Sequence, residues 1–380
     1  MKENAETPLG RFLIFFPVPQ RAIFLLIAGL WLWSWQLSIL SKRGIDVSKL
    51  IITNDPYAIR PRTSSMSLIA SIRGSNAKIT KILIPWQIAT SFLLQMVVND
   101  PYGVPAWLVC LVNISPLCQL VTVATILLSS SPMLARCVKN ILRFGNIEPK
   151  PLRLNYILLS DTLTSYNKPM IDFGLYLCHL LIDPVNYNCI VSKSSLGIAL
   201  NLDIMIGIAP AVTRFVQCLR EWNRSSSKAQ AYSSIFNALK YASNLPILVC
   251  TVLARANVEK SPSNNIFWFM FFHSAYSFWW DLTMDWNLGF LNFSQSGMTR
   301  NEVLRKRRYF SPFAYYICAG FDFTVRFFWL WELFAGRTVF EGEINFFFLE
   351  ILEILRRWVW IFIRVEAEAS EGGNPEKSQD

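Results

Sequence analysis

The stretch RAIFLLIAGLWLWSWQLSIL, residues 21–40, decides the class of this protein. It carries one charged side chain, Arg21, and that sits at its first position. About 20 apolar residues at 1.5 Å rise are what an α-helix needs to cross the hydrocarbon core of a bilayer. The stretch is too long for the apolar core of a signal peptide and no small-residue cleavage site follows it, so it reads as a retained span. Outward from it, apolar stretches recur at approximately 81–98, 105–130, 155–182, 198–220, 232–255, 264–287, 311–334 and 340–364. These make nine spans, or ten if a further half-span lies within 41–80 or 131–153.

Composition agrees with a membrane location. Hydrophobic residues make up 53% of the 380, and charged residues only 16%, against roughly 25% in soluble domains. Strand-like alternation is absent, which argues against a β-barrel. The expected fold is therefore all-α, a polytopic transmembrane helical bundle of nine or ten spans. The expected organisation is a short tail at 1–14, N-terminal spans over 15–150, a six-helix core over 151–366, and a disordered acidic tail at 367–380.

The net charge of +10 is placed in loops. Lys42, Arg43, Lys49, Arg60, Arg62, Arg73 and Lys78 lie in 41–80, and 131–153 and 288–310 are also richly basic. With 131–153 set in the cytosol and sides alternated, 288–310 and the C-terminus also fall inside, as the positive-inside rule requires. The basic balance thus points to the lipid bilayer as partner and not to nucleic acid. The sequon Asn223-Arg-Ser225 falls on the cytosolic side and is discounted. Eight scattered cysteines without a CxxC pair and only two histidines, His179 and His273, give a metal or dithiol site little to build on. No cofactor is expected. Neither GxSxG, a phosphate-cradling glycine loop nor a metal-ligand cluster is present, so an enzyme is not the expected class. The two histidines read as packing or path-lining groups.

The last six spans differ from the earlier ones in having polar stripes. At 100° per residue, Asp161, Thr164, Ser165, Lys168, Asp172 and His179 fall within an arc of about 100°. Asp203, Arg214 and Gln217 share a face of the next span, and Ser233, Asn237, Lys240, Asn244 and Thr251 a face of the one after. Ser274, Ser277, Asp281 and Asp285 align, as do Tyr315, Cys318, Asp322, Arg326 and Trp329. In the final span Glu350, Glu353, Arg356, Arg357 and Arg364 fit an arc of about 120°. A charge near the bilayer centre costs at least about 2.5–3.5 kcal/mol, so such residues face a bundle interior or a watery cavity. The simplest geometry turns all six stripes to one axis. The competing reading is self-neutralisation within a helix, with Asp322–Arg326 and Glu353–Arg357 as i,i+4 pairs. Guanidinium groups offer forked donors that match phosphate or carboxylate oxygens. The residues alone lead as far as an anionic or amphoteric solute.

Six ordered motifs then become recognisable: Asp161-Thr-Leu-Thr-Ser165, Arg214-Phe-Val-Gln-Cys-Leu-Arg220, Asn237-Ala-Leu-Lys-Tyr241, Trp280-Asp281-Leu-Thr-Met-Asp285-Trp286, Arg326-Phe-Phe-Trp329, and Leu352-Glu-Ile-Leu-Arg-Arg357 running on to Arg364-Val-Glu366. Over roughly 15–366 the chain resembles the EXS family, the membrane domain shared by retrovirus-receptor-type and plant phosphate exporters and the yeast ER-retention-defective protein. The resemblance implies inorganic phosphate as solute. It implies Arg214, Lys240, Arg326, Arg356 and Arg357 as oxyanion contacts, with Thr164 beside them. Asp161, Asp281 and Glu353 would position those bases, and Tyr241 and Trp329 would line or gate the route. Tyr241 lies off its stripe. The chain departs from the family at Trp360-Ile361, where Trp-Asn is common, and at Asn287, where Gly is usual. Only about 14 residues precede the conserved region, so the SPX module and its control by inositol pyrophosphates are not expected. The SPX-less form resembles the yeast type. It implies a Golgi membrane, and also the endoplasmic reticulum, with phosphate moved from lumen to cytosol in support of glycosylation and the retention of Golgi and ER residents. The alternative is a non-transporting sorting factor that recycles glycosyltransferases and ER luminal proteins through cytosolic sorting adaptors.

Overall fold

The computed structural model describes Phe12 and residues 15–51, 64–100, 103–142, 150–186, 202–225, 227–256, 265–289, 304–305, 307–335 and 342–371. Every extended element among them is helical. In chain order these are α1 (Val18–Lys42), α2 (Val47–Leu50), α3 (Ser65–Asn99), α4 (Ala106–Ser130), α5 (Pro132–Leu142), α6 (Lys150–Ser165), α7 (Asn167–Ile182), α8 (Leu202–Arg224), α9 (Lys228–Ala242), α10 (Leu245–Ala256), α11 (Asn265–Trp280), α12 (Pro312–Arg326), α13 (Phe328–Ala335) and α14 (Gly342–Glu371). A π-helical turn, Asp281–Asp285, continues α11. The protein is a helical membrane bundle. Among the described residues, five segments are long and apolar enough to cross a membrane by length and composition: Val18–Lys42, Ser65–Asn99, Ala106–Ser130, Leu202–Arg224 and Lys228–Leu253.

Several boundaries differ from those expected. The stretch 41–80 is not one polar loop, because α2 and the first half of α3 lie in it. At 35 residues α3 is about 52 Å long, well beyond the roughly 30 Å of a hydrocarbon core. The Ser64 hydroxyl caps its start by accepting from the Ser67 amide at 3.2 Å. Asp46 caps α2 and ties it to α3, accepting from the Ser48 amide at 3.2 Å and the Ser65 hydroxyl at 2.7 Å. The Ser48 hydroxyl, donating at 2.6 Å, is the foremost cause that holds the Asp46 carboxyl down at about 2, with the Ser65 hydroxyl next. At the other end α14 runs to Glu371, past the expected start of the tail at 367; Ala367 is fully buried within the fold. Residues 372–380 lie outside the described residues.

More telling, four of the expected spans are interrupted. The 155–182 span breaks at Tyr166, 232–255 at Ser243-Asn244, and 311–334 at Phe327, while 264–287 ends in the π turn. Freed backbone groups at membrane depth are tolerated where they are buried in protein or line a cavity. The Tyr166 break is pinned by its hydroxyl, which donates to the Leu25 carbonyl at 2.9 Å and sits where a Cβ on Gly29 would be.

Two apolar cores hold the bundle. One is centred on Trp286, Trp360 and Tyr315 and joins α1, α2, the start of α3, α6, α12 and α14. The other, with Ile79, Leu94, Val123 and Phe173, joins α1, α3, α4 and α7. Large side chains such as Ile88, Phe92, Trp107, Phe313 and Phe334 point outward, as an apolar solvent permits. Between the cores lies the polar interior.

Candidate functional site

The breaks bring ten ionisable side chains into one buried cluster. Asp161 on α6 pairs with Arg214 on α8, Oδ1 to Nε, at 2.7 Å, and both side chains are 4% exposed. Arg214 also donates to the Tyr241 hydroxyl at 3.0 Å and to Gln217 Oε1 at 2.8 Å. Tyr241 in turn donates to Asp161 Oδ1. Lys240 on α9 reaches Asp281 Oδ1 at 2.7 Å and Asp285 Oδ2 at 3.3 Å. The two aspartates, four apart, share a face; the π turn that holds them sends the Trp286 amide to the Asp281 carbonyl at 2.8 Å. Asp281 Oδ2 binds Arg326 of α12, whose Nε is held by Asp322 at 2.9 Å. Arg356 of α14 reaches Asp322 Oδ1 at 3.1 Å, and its Nε donates to Glu353 at 2.9 Å.

Arg357 joins this network only at second hand, through the Ser165 hydroxyl, which donates to Glu353 Oε1 at 2.7 Å. Its Nε donates to the Ser165 hydroxyl at 2.8 Å and its Nη2 to the Thr164 hydroxyl at 3.0 Å. The guanidinium lies over the Trp360 ring, 4.8 Å from its centroid. All three partners are neutral. The other four cations each meet at least one carboxylate; among the described residues Arg357 meets none.

A cavity of about 260 Å³ opens against this cluster. A single water needs roughly 10–15 Å³ on such a measure, so a small oxyanion fits together with part of its hydration. Lys240, Arg326, Arg356 and Arg357 face it with one carboxylate, Glu353. Asp161, Arg214, Asp281, Asp285 and Asp322 are not in its wall. The cluster as a whole balances five acids against five bases, yet the wall holds four cations to one anion. The acids stand behind the bases. Helix ends of both signs reach the cavity: Asn167 at the start of α7 and Asn244 just before α10 line it, and so do Thr164 and Tyr241 in the last turns of α6 and α9, so their dipoles oppose one another. Lys240 and Arg326 occupy the last turns of α9 and α12, where a cation is favoured.

Of the eleven residues singled out from sequence, Thr164, Lys240, Tyr241, Arg326, Glu353, Arg356 and Arg357 line the cavity. Asp161, Arg214 and Asp281 buttress it from behind. Trp329 is outside the wall, its Nε1 donating to Ser274 Oγ at 3.3 Å. Tyr241 joins because α9 ends just after it. The stripe over 155–182 does not hold together. Beyond Tyr166, Lys168 and Asp172 pair with each other at 2.5 Å, the self-neutralising arrangement. Glu353 takes Arg356, three residues on, and not Arg357 as the i,i+4 pairing would have it. Tyr315 serves the far end of α12, donating to Glu366 at 2.8 Å. His273, read only as a packing or path-lining group, lines the cavity beside Ser243. Asn287 has φ +51°, the left-handed region that Gly enters freely and Asn more readily than most other residues.

The EXS family model matches residues 16–370. The chain is 40% identical to Protein ERD1 of Kluyveromyces lactis over 95% of this chain and 97% of that protein. It is 33% identical to Protein ERD1 of Saccharomyces cerevisiae over 97% of each. A third similarity, 31% over 42% of this chain and 23% of the other, is to human solute carrier family 53 member 1.

Proposed function

We propose, on the premise that this chain belongs to the EXS family, that it is a membrane transporter of inorganic phosphate. The observation that carries the reading is Arg357. A buried guanidinium with no carboxylate in direct contact is costly, and this one borders a cavity walled by three further cations. An anion entering the cavity supplies the missing charge. Forked guanidinium donors from Arg326, Arg356 and Arg357 suit a tetrahedral oxyanion better than a point charge would. Thr164 and Tyr241 line its path, Asp161, Asp281 and Glu353 orient the bases, and Trp329 guards one approach. The likeness to a solute carrier points the same way. The family resemblance supplies the setting: a Golgi membrane, with phosphate passing from lumen to cytosol and sustaining glycosylation.

The test is uptake of labelled inorganic phosphate by liposomes containing the purified protein. Uptake well above empty liposomes, lost in Arg357→Ala, is the expected result. Uptake equal to that of empty liposomes overturns the reading. The second reading, a sorting factor acting through cytosolic adaptors, is favoured by one observation: the ERD1 proteins match nearly the whole chain, while the solute carrier matches 42% of it. In that case Arg357→Ala leaves the retention of glycosyltransferases intact, and removal of 368–380 abolishes it.

A further inference from the structure

The cavity wall is rich in donors and poorer in free acceptors; the buried Asn167 Oδ1, without a hydrogen-bond partner among the described residues, is one of the few. Thr164 Oγ1 donates to the Asp161 carbonyl and accepts from Arg357. The Tyr241 hydroxyl donates to Asp161 and accepts from Arg214. Ser274 Oγ donates to the Arg326 carbonyl and accepts from Trp329. Each of these hydroxyls has committed its proton and already accepts one hydrogen bond, which leaves at most one lone pair.

His273 is different, and its tautomer follows from its neighbours. Ser243 Oγ lies 2.7 Å from the Lys240 carbonyl and 2.7 Å from His273 Nδ1. A serine has one proton, and the carbonyl can only accept it. The Ser243–His273 bond must therefore run the other way, with Nδ1–H donating to Ser243 Oγ. In the neutral ring this leaves Nε2 as a bare lone pair, with no protein partner among the described residues. His273 lines the cavity, and Nε2 is the ring nitrogen left to face it. Glu353 adds a further acceptor: its Oε2 takes one bond, from Arg356 Nε at 2.9 Å.

We propose that His273 is a specificity-determining residue whose Nε2 reads a proton on the bound oxyanion. The inference deepens the phosphate reading and rests on it. At neutral pH inorganic phosphate carries at least one P–OH and can donate to Nε2. Sulfate carries no proton, and any oxygen it turns to Nε2 meets lone pair with lone pair. A site made only of cations would take both anions. A site holding acceptors among the cations rejects the one with nothing to donate, because a buried group left unpaired is costly.

The experiment measures labelled phosphate uptake by liposomes containing the full chain, with unlabelled phosphate, arsenate or sulfate as competitor. Arsenate, protonated like phosphate, competes about as well as phosphate in the unaltered protein, and sulfate at least about tenfold more weakly. His273→Leu removes the acceptor and narrows the sulfate-to-phosphate ratio of inhibitory concentrations by about tenfold. His273→Gln, whose amide oxygen can stand where Nε2 stood, restores most of it. Should the leucine variant not fold, His273→Lys, which puts donors in place of the acceptor, carries the same expectation with sulfate favoured further. Uptake that sulfate and phosphate inhibit equally in the unaltered protein, or an unchanged ratio in the variants, overturns the inference while leaving the transporter reading standing. No phosphate uptake by the unaltered protein overturns both.

Discussion

Replacing Arg357 with Gln separates a ligand-binding charge from a structural one, and the structure fixes the size of each effect. Arg214 is the comparison. It is buried with Asp161 at 2.7 Å, both side chains 4% exposed. Removing one member of such a pair strands the other and costs about 3–5 kcal/mol. Arg357 has no carboxylate to strand. Its removal forfeits bonds to the Ser165 and Thr164 hydroxyls and the stack on Trp360, worth roughly 1–3 kcal/mol each for charged donors. It also relieves the several-kcal/mol cost of an uncompensated buried cation. The two nearly cancel, so Arg357→Gln changes stability by about 1 kcal/mol or less. Its ligand contact does not cancel. A lost charge-assisted hydrogen bond of about 1.5–3 kcal/mol lowers phosphate uptake roughly 10- to 150-fold. The assay pairs thermal unfolding in detergent with labelled phosphate uptake in liposomes. Arg214→Gln is expected to lower both stability and uptake, Arg357→Gln uptake alone. Equal destabilisation by the two substitutions would show that Arg357 is as structural as Arg214, and the reasoning would fall.

Three smaller perturbations test how the site is framed. Gly29→Ala places a Cβ on the Tyr166 hydroxyl, so it destabilises by about 1–3 kcal/mol although alanine is the better helix former by about 1 kcal/mol; adding Tyr166→Phe recovers part of the loss in thermal unfolding. Asn287→Val forces a β-branched residue into the left-handed region and lowers stability by about 1–2 kcal/mol, whereas Asn287→Gly is neutral in the same measurement. Asp46→Ala removes the α2 cap at a cost of about 1 kcal/mol. Because the folded Asp46 carboxyl is lowered from 3.8 to about 2, its contribution is complete above the unfolded value and disappears as pH falls through the folded one. Hydrogen exchange of the Ser48 amide, followed from pH 5 downward, reads that loss.

Much of the site was legible because burying charge in a bilayer is so expensive that it constrains the sequence. Arg214, Lys240, Arg326, Arg356 and Arg357 could be chosen from helical angle alone, and the structure gathers them. The helix breaks are invisible to the period, although Pro169 and Pro246, just past Tyr166 and Ser243-Asn244, are breaker signals for two of them. Through Tyr166, Ser243-Asn244 and Phe327 the chain shows no change of character that a period analysis detects, and the break at Tyr166 is fixed by a contact with Gly29, distant in sequence. Each error of pairing follows from those breaks or from a competing neighbour. Lys168 and Asp172 lie beyond the Tyr166 interruption and turn to each other. Tyr241 is off its stripe yet enters the wall because α9 stops after it. Glu353 finds Arg356 closer than Arg357. His273, read as a packing or path-lining group, does line the cavity; what the sequence does not show is the direction of its proton, which Ser243 fixes.

The arrangement of acids behind bases bears on how a carrier of this kind could release what it binds. Four cations facing a small cavity in a medium of low dielectric would hold an anion too tightly for turnover if nothing opposed them. Here Asp281 is shared by Lys240 and Arg326, and Asp322 by Arg326 and Arg356, so each of those donors is already engaged from behind. An entering anion competes with carboxylates for the same guanidinium and ammonium protons. Its net gain is the difference between two good partners, not the whole of one. Arg357, bonded only to hydroxyls and an aromatic face, is the exception that gives the cavity its pull. A side-chain rearrangement that turned Glu353 from Arg356 to Arg357, one turn on along the same helix, would switch that pull off; Glu353, 36% exposed, is the carboxylate placed to do it.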